Sequence, residues 1–168
     1  FRLVGGPQSV QRFFKMHYGT DFPLHIAATE KEMASGVAAM SLNCATPAAM
    51  LRVLEDLHSS AFLQTRHPLL TPPMARLLLA YLEQTSTGQD RLRAGLPSEN
   101  LSFAHKTGSS GTVGGSTLAH NDVGIIRLSD DRYACIVSFI TACTEDAATM
   151  NHAHAQLAEM TYSALTDK

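Results

Sequence analysis

Residues 133–141 constrain this chain more than any other stretch. Tyr133-Ala134-Cys135-Ile136-Val137-Ser138-Phe139-Ile140-Thr141 is almost wholly apolar and of strand length. A strand without polar alternation is covered on both faces, so it needs neighbours and cover. One neighbour precedes it: Asp122 to Leu128 reads as a strand, joined to it through Ser129-Asp130-Asp131-Arg132 as a hairpin. Leu101 to His105 reads as a third, shorter strand. After the run, Thr144 caps a last helix, with Glu145 and Asp146 in its first turn to complement the dipole. Met150, Ala153, Leu157, Met160 and Ala164 form its apolar stripe, which predicts a helix laid over the sheet. Three strands make a small sheet. The pattern therefore asks for more cover than the 168 residues supply.

The first hundred residues read as helices around one irregular stretch. Gly5-Gly6-Pro7 is a turn with proline placed to open a helix. Val10, Phe13 and Phe14 give that helix an apolar face, and Gly19 ends it. From about Asp21 to Cys44 no period holds, and an ordered domain rarely carries so long an irregular segment without a purpose. Thr46-Pro47 starts a helix with Met50, Val53, Leu54 and Leu57 on its buried stripe. Thr71-Pro72-Pro73 starts another, with Met74, Leu77, Leu78 and Tyr81 expected to face inward. The fold class expected is mixed α/β (α+β), an antiparallel sheet flanked by helices.

Composition narrows the function. A hydrophobic fraction of 45% is ordinary for a globular chain, and a net charge of -2 argues against nucleic acid or an anionic membrane as the main partner. No apolar run approaches the roughly 20 residues of a membrane span, and no leader is recognisable at Phe1-Arg2-Leu3. Cys44, Cys135 and Cys143 are odd in number and lack C-x-x-C spacing, so neither a disulfide framework nor zinc is indicated. His152 and His154 sit two apart on a helix, so their side chains diverge; they read as surface or packing residues. No metal or organic cofactor is implied.

Two places could carry chemistry. Lys106-Thr107-Gly108-Ser109-Ser110-Gly111 ends the first strand. The Lys106 ammonium with the Thr107 and Ser109 hydroxyls can receive a carboxylate. Gly108 lets a ligand approach the backbone, and the Ser109 N–H can serve as an oxyanion donor. The alternative is a strand end without function. Glu30, in the irregular segment, can act as general base for a water. The alternative there is a solvated turn with Lys31 and Glu32.

Several segments together resemble the class A serine β-lactamases. They are Thr46-Pro47-Ala48-Ala49-Met50, Thr85-Ser86-Thr87-Gly88, Arg91 to Pro97, Ala104-His105-Lys106-Thr107-Gly108 and Asn121 to Ile126. Ala27 to Met33 and Lys106 to Gly111 are similar to the branch with the PER and VEB extended-spectrum types. Lys-Thr-Gly is one of three signatures of the penicillin-recognising serine enzymes. The resemblance runs the length of the chain, and covers only the C-terminal part of the family's length.

It implies a β-lactamase/transpeptidase-like fold. Residues 1–100 would be part of a helical domain, with the loop of about 21–45 carrying Glu30. Residues 101–168 would be three sheet strands and the C-terminal helix. It implies Glu30 as the base for the deacylating water, Lys106, Thr107, Gly108, Ser109 and Ser110 as the substrate-binding edge, and the Ser109 N–H in the oxyanion hole. Ser110 and Gly111 would continue the edge strand. Implied too are β-lactam substrates and a periplasmic or secreted location.

Two departures stand out. No serine here has a lysine three residues on, and the Ser-x-Asn triplets Ser41-Leu42-Asn43 and Ser98-Glu99-Asn100 fall in the wrong places for the middle signature. The nucleophile is therefore expected upstream, on a complementary N-terminal chain or fragment. Four residues after Glu30, where the family usually has asparagine, stands Ala34. That leaves a non-hydrolytic penicillin-binding or sensor domain as one alternative and an inactive structural fragment as another.

Overall fold

The structure is a computed structural model and describes residues 2–63, 68–97, 101–129 and 132–166. The Ser98-Glu99-Asn100 triplet and the Asp130-Asp131 centre of the expected hairpin lie outside the described residues. The chain forms two compact units, Phe1–Arg52 and Val53–Lys168. The boundary between these units falls inside a helix.

In the first unit α1 (Pro7–Tyr18) opens on Pro7 and is closed by Gly19 at φ 94, whose N–H bonds the Lys15 carbonyl. The segment after it has little regular structure but is firmly tied. A two-residue strand β1 (Leu24–His25) pairs antiparallel with β2 (Cys44–Ala45). Between them lies the one-turn helix α2 (Glu30–Met33). The side-chain amide of Gln11 reaches across from α1, donating to the Leu24 carbonyl at 3.2 Å and accepting from the Ile26 N–H at 2.5 Å. Side-chain amides thus supply the backbone partners that a longer ladder would supply.

The helix α3 (Pro47–Phe62) runs from the first unit into the second. There Leu54, Leu57 and Ala61 join Ala75 and Leu79 of α4 (Pro72–Glu83), with Ala104 and Ile125 of the sheet, in one buried cluster. The expected α4 stripe is corrected here. Met74, Leu77, Leu78 and Tyr81 are exposed, and Ala75 and Leu79 make the inner face. The helix has apolar residues on more than one side, and the side that carries Ala75 allows the closer approach to its neighbours.

The sheet has four strands rather than the three expected. β3 (Phe103–Ser109) and β4 (Thr112–Val113) both pair antiparallel with β5 (Ser116–Arg127), and β6 (Tyr133–Cys143) pairs antiparallel with β5 on its other side. Gly114 and Gly115, both at positive φ, turn β4 into β5 as a two-residue hairpin, the geometry that suits the strand twist. Ser110 and Gly111 do not continue β3. They separate it from β4, although the Ser110 N–H still bonds the Ala119 carbonyl at 2.8 Å.

The apolar strand β6 is not enclosed. Among the described residues it has β5 as its only strand partner, and of its residues only Ile136 is buried. The C-terminal helix α5 (Ala147–Thr166) covers the sheet through Met150, His154 and Ala158. The expected stripe holds only at Met150, because Leu157 and Met160 face outward. The second cluster joins Ala158 of α5 to Leu92, Leu96, Phe103, Ile126 and Ile136.

Small residues decide how closely these layers meet. Between α5 and the 3-10 helix Leu92–Gly95, a Cβ on Gly95 would sit 1.8 Å from the Ala155 carbonyl oxygen. Backbone cannot yield as a side chain can. Gly95→Ala is therefore expected to cost about 1–3 kcal/mol of stability, the usual penalty of overpacking. Urea unfolding of the variant against the parent measures it.

Candidate active site

The Glu30 segment is ordered by one capping box. The Thr29 hydroxyl N-caps α2 by accepting the Glu32 N–H at 3.3 Å. The Glu32 carboxylate in turn accepts from the Thr29 N–H at 2.7 Å and from its hydroxyl at 2.8 Å. Those two bonds hold Glu32 below the usual carboxylate range. Glu32 is thus committed to the cap, while Glu30, one helical position before Lys31, is exposed. The chain entering α2 is clamped by Asn43. Its Oδ1 accepts the Ala27 and Ala28 N–H groups at 2.8 and 2.9 Å, and its Nδ2 donates to the Ala28 carbonyl at 2.9 Å. Asn43 therefore has a local structural task, consistent with reading Ser41-Leu42-Asn43 as a chance match. Ala34 closes α2 through its backbone N–H and brings no polar side chain.

In the second unit Lys106, Thr107, Gly108 and Ser109 lie within β3, not beyond its end. Lys106, Gly108 and Ser109 are exposed, and Thr107 is half-buried. The Lys106 ammonium donates to the Thr107 carbonyl at 2.6 Å. A Cβ on Gly108 would meet nothing within 4 Å, so the backbone there is open to a ligand. Ser110 is occupied locally: its hydroxyl accepts the Ala119 N–H at 2.8 Å and donates to the Gly111 carbonyl at 3.0 Å.

A loop braces this strand. The Thr85 hydroxyl donates to the His105 carbonyl at 3.0 Å, and the Thr87 and Thr107 hydroxyls bond each other at 3.1 Å. Gly88, at φ 68, lies so close to β3 that a Cβ would meet the Thr107 methyl at 2.2 Å. Arg91 completes the brace. Its guanidinium donates to the Asn121 carbonyl at 2.7 Å, to the Gly108 carbonyl at 3.4 Å and to the Ser109 hydroxyl at 2.7 Å. The structure thus brings a second cation to the lysine-bearing edge. Arg91 stands in one of the segments that carry the family resemblance, but nothing in its spacing says where so long a side chain reaches.

Behind the edge lies a polar layer. Asp122 is fully buried, with His105 Nδ1 at 3.1 Å and the Leu92 N–H at 3.2 Å from its carboxylate. His154, also fully buried, donates from Nε2 to the His120 carbonyl at 3.1 Å, while its Nδ1 stands 2.7 Å from the Ser138 hydroxyl. It is a packing residue, as expected, and His152 is exposed. Among the described residues no group of His, Cys, Asp and Glu is arranged to hold a metal, and no helix is long and apolar enough to cross a membrane. All three cysteines are unpaired thiols, and Cys135 is pushed up to about 12 by burial and by the Glu55 carboxylate.

An open strand edge carrying lysine, hydroxyls and an exposed glycine, on an antiparallel sheet under a C-terminal helix, defines a class, and comparison with known proteins agrees. The model of the beta-lactamase enzyme family matches residues 1–165, and the chain belongs to that family. It is 31% identical over 167 residues to the beta-lactamase VEB-1 of Pseudomonas aeruginosa, covering 99% of this chain and 53% of that protein. Against the extended-spectrum beta-lactamase PER-1 of the same organism it is 40% identical over 86 residues, or 51% of this chain and 28% of that one. The crystal structure of the TLA-1 extended-spectrum beta-lactamase superposes with a TM-score of 0.88 at 30% identity, over 98% of this chain and 56% of the other. A beta-lactamase from Chitinophaga pinensis superposes with a TM-score of 0.85 at 32% identity, over 99% and 58%. The chain thus spans about half the length of the relatives it matches, and its fold is that of the class A beta-lactamases.

The buried histidine gives a pH dependence. Burial, with the Coulombic influence of His120 and Arg91, holds His154 below its ordinary 6.5, against the opposing pull of the His120 carbonyl and Asp122. The fold therefore favours neutral His154. Its contribution is complete above pH 6.5, declines as the unfolded chain gains its proton, and levels off below the folded pKa. His58, depressed by burial and Arg127, acts with the same sign. Urea unfolding between pH 7.5 and 5 should show stability falling with acid, and His154→Asn should flatten the slope.

Proposed function

We propose that this chain is the C-terminal part of a class A serine β-lactamase that hydrolyses the β-lactam amide through an acyl-serine intermediate. The observation that carries the reading is the open β3 edge, where Lys106 and Thr107 lead to Ser109, whose hydroxyl accepts from the Arg91 guanidinium beside an unobstructed Gly108. Lys106 and the Thr107 and Ser109 hydroxyls bind the substrate carboxylate, and the Gly108 backbone gives the ligand room. Ser110 holds the turn that follows rather than touching substrate. As the tetrahedral intermediate forms, the Ser109 N–H donates to its oxyanion. A preorganised donor of this kind gains strength as negative charge develops on the oxygen.

The acyl-enzyme must then be opened by water. Glu30 takes a proton from that water as its oxygen attacks the ester carbonyl; the bond to the serine oxygen then breaks and the proton passes to that oxygen. The availability of Glu30 fits this task, since the neighbouring Glu32 is spent on the capping box and Glu30 is not. The serine nucleophile and its lysine are supplied by a complementary N-terminal segment or chain, and the whole enzyme works in the periplasm or outside the cell. Ala34 supports a second reading, a penicillin-binding or sensor domain that is acylated and stays so, because no amide four residues after Glu30 helps to hold the water.

The isolated chain should turn over no chromogenic cephalosporin, since no serine has a lysine three residues on. In the completed enzyme Lys106→Ala should slow acylation by about one to two decades, the worth of a charge-assisted contact to substrate. Glu30→Gln should slow deacylation by about two to four decades and leave an acyl adduct visible by intact mass. Normal turnover of the Glu30 variant without an adduct would remove Glu30 as the base. An adduct that persists in the unsubstituted enzyme would favour the sensor reading.

A further inference from the structure

Arg91 reaches the β3 edge from a loop, and a loop cation is only as well placed as the backbone that carries it. The residue before it is tied to the C-terminal helix. Asp90 Oδ2 accepts a hydrogen bond from Asn151 Nδ2, in the first turns of α5. Asn151 Oδ1 in turn stands 2.6 Å from Nε2 of the buried His120. The polarity of this relay is fixed at one end. A carboxylate accepts only, so the Asn151 amide turns its NH2 to Asp90 and its oxygen to His120, and His120 must then carry its proton on Nε2. His120 lies opposite Ser109 in the β3–β5 register, and Ser109 is the residue whose hydroxyl Arg91 bonds.

The path from Ser109 through Arg91, Asp90 and Asn151 to His120 thus ends on the residue that lies opposite Ser109 in the ladder. Close contact supports it from below, where Gly95, four residues past Arg91, rests on the Ala155 backbone of the same helix.

Building on the functional reading above, we infer that Asn151 is a positioning residue. It bridges Asp90 to His120 and so fixes the Arg91 guanidinium against Gly108 and Ser109, at the depth where a substrate carboxylate is received. Two cations at the edge then act on one anion from set places, and α5 takes part in substrate binding without touching substrate. Loosening the bridge frees Arg91 to turn into solvent, which weakens carboxylate binding while leaving the acyl-transfer groups in place. The effect falls on KM rather than kcat.

The bridge can be broken and then rebuilt with its charge moved. Asn151→Ala removes it. Asn151→Asp sets a carboxylate against the Asp90 carboxylate. Asp90→Asn combined with Asn151→Asp restores it, because the amide then at position 90 can donate to the carboxylate at position 151, which still accepts from His120. In the completed enzyme with a carboxylate-bearing cephalosporin, N151A should raise KM several-fold to about tenfold, the size expected for a loosened charge-assisted contact, with kcat within about twofold. N151D should be worse, and D90N/N151D should return KM to within about twofold of the parent. Hindered rotation of the Arg91 guanidinium, seen as separate Nη–H resonances in a 15N-edited spectrum, should be lost in both single variants and regained in the swap. A thermal melt of N151A, which keeps a strong helix former in α5, confirms that the fold is intact.

An unchanged KM and unchanged Arg91 resonances in N151A would overturn the inference, and so would a swap no better than N151D alone. If the parent enzyme opens no β-lactam, the functional reading fails by itself. The Arg91 resonances still decide whether the bridge holds the guanidinium.

Discussion

Asp122 is the group the second unit is arranged around. It is a carboxylate with no exposed surface, on the central strand of the sheet. A buried charge is tolerable only when hydrogen bonds replace the lost water. His105 of β3 and the N–H of Leu92 supply them, so one residue draws the adjacent strand and the 3-10 helix to itself. The consequences spread outward. Fixing Leu92 fixes the segment that starts at Arg91, and fixing His105 fixes the strand whose next residue is Lys106. Alternation along β3 then turns His105 inward and Lys106 outward. Lys106 is therefore exposed on the strand position next to the buried His105–Asp122 pair.

The elements with punctuation were legible in the sequence. Proline after a cap residue marked the starts of α1, α3 and α4, and the hydrophobic run marked β6. The lysine–threonine–glycine edge could be found because three special residue types stand together. Its strand proved longer than the apolar run, since polar residues carry β3 on to Ser109. The turn at Gly114-Gly115 did leave a signal, a glycine pair between β-favouring residues, which defines β4. Helix facing was the least legible. In α4 and α5 most of the large apolar residues lie on sides that stay exposed, and Ala75, Leu79, Met150, His154 and Ala158 make the inner faces. Periodicity finds an apolar side; it does not say which of two sides meets a partner. Arg91 was illegible for a related reason, because a long side chain acts far from its own position.

β6 shows what an apolar strand means when it has one strand partner. Among the described residues no strand pairs with β6 on the side away from β5, and Met74, Leu77, Leu78 and Tyr81 of α4 and Leu157 and Met160 of α5 are exposed. Unpaired strand edges of this kind template further pairing. The same property that lets a strand join a larger sheet makes it adhesive when it stands at the rim.

The thiol of Cys135 lies on that strand, half-buried against the α3–α4 cluster. With its pKa pushed up to about 12, it holds its proton across the whole physiological range. Thiolates, not thiols, attack disulfides and react with oxidants. A chain with an odd number of cysteines invites mispairing wherever oxidants are present. Here the packing that stabilises the sheet also takes one sulfur out of that chemistry, so the core serves as a chemical shield as well as a structural one.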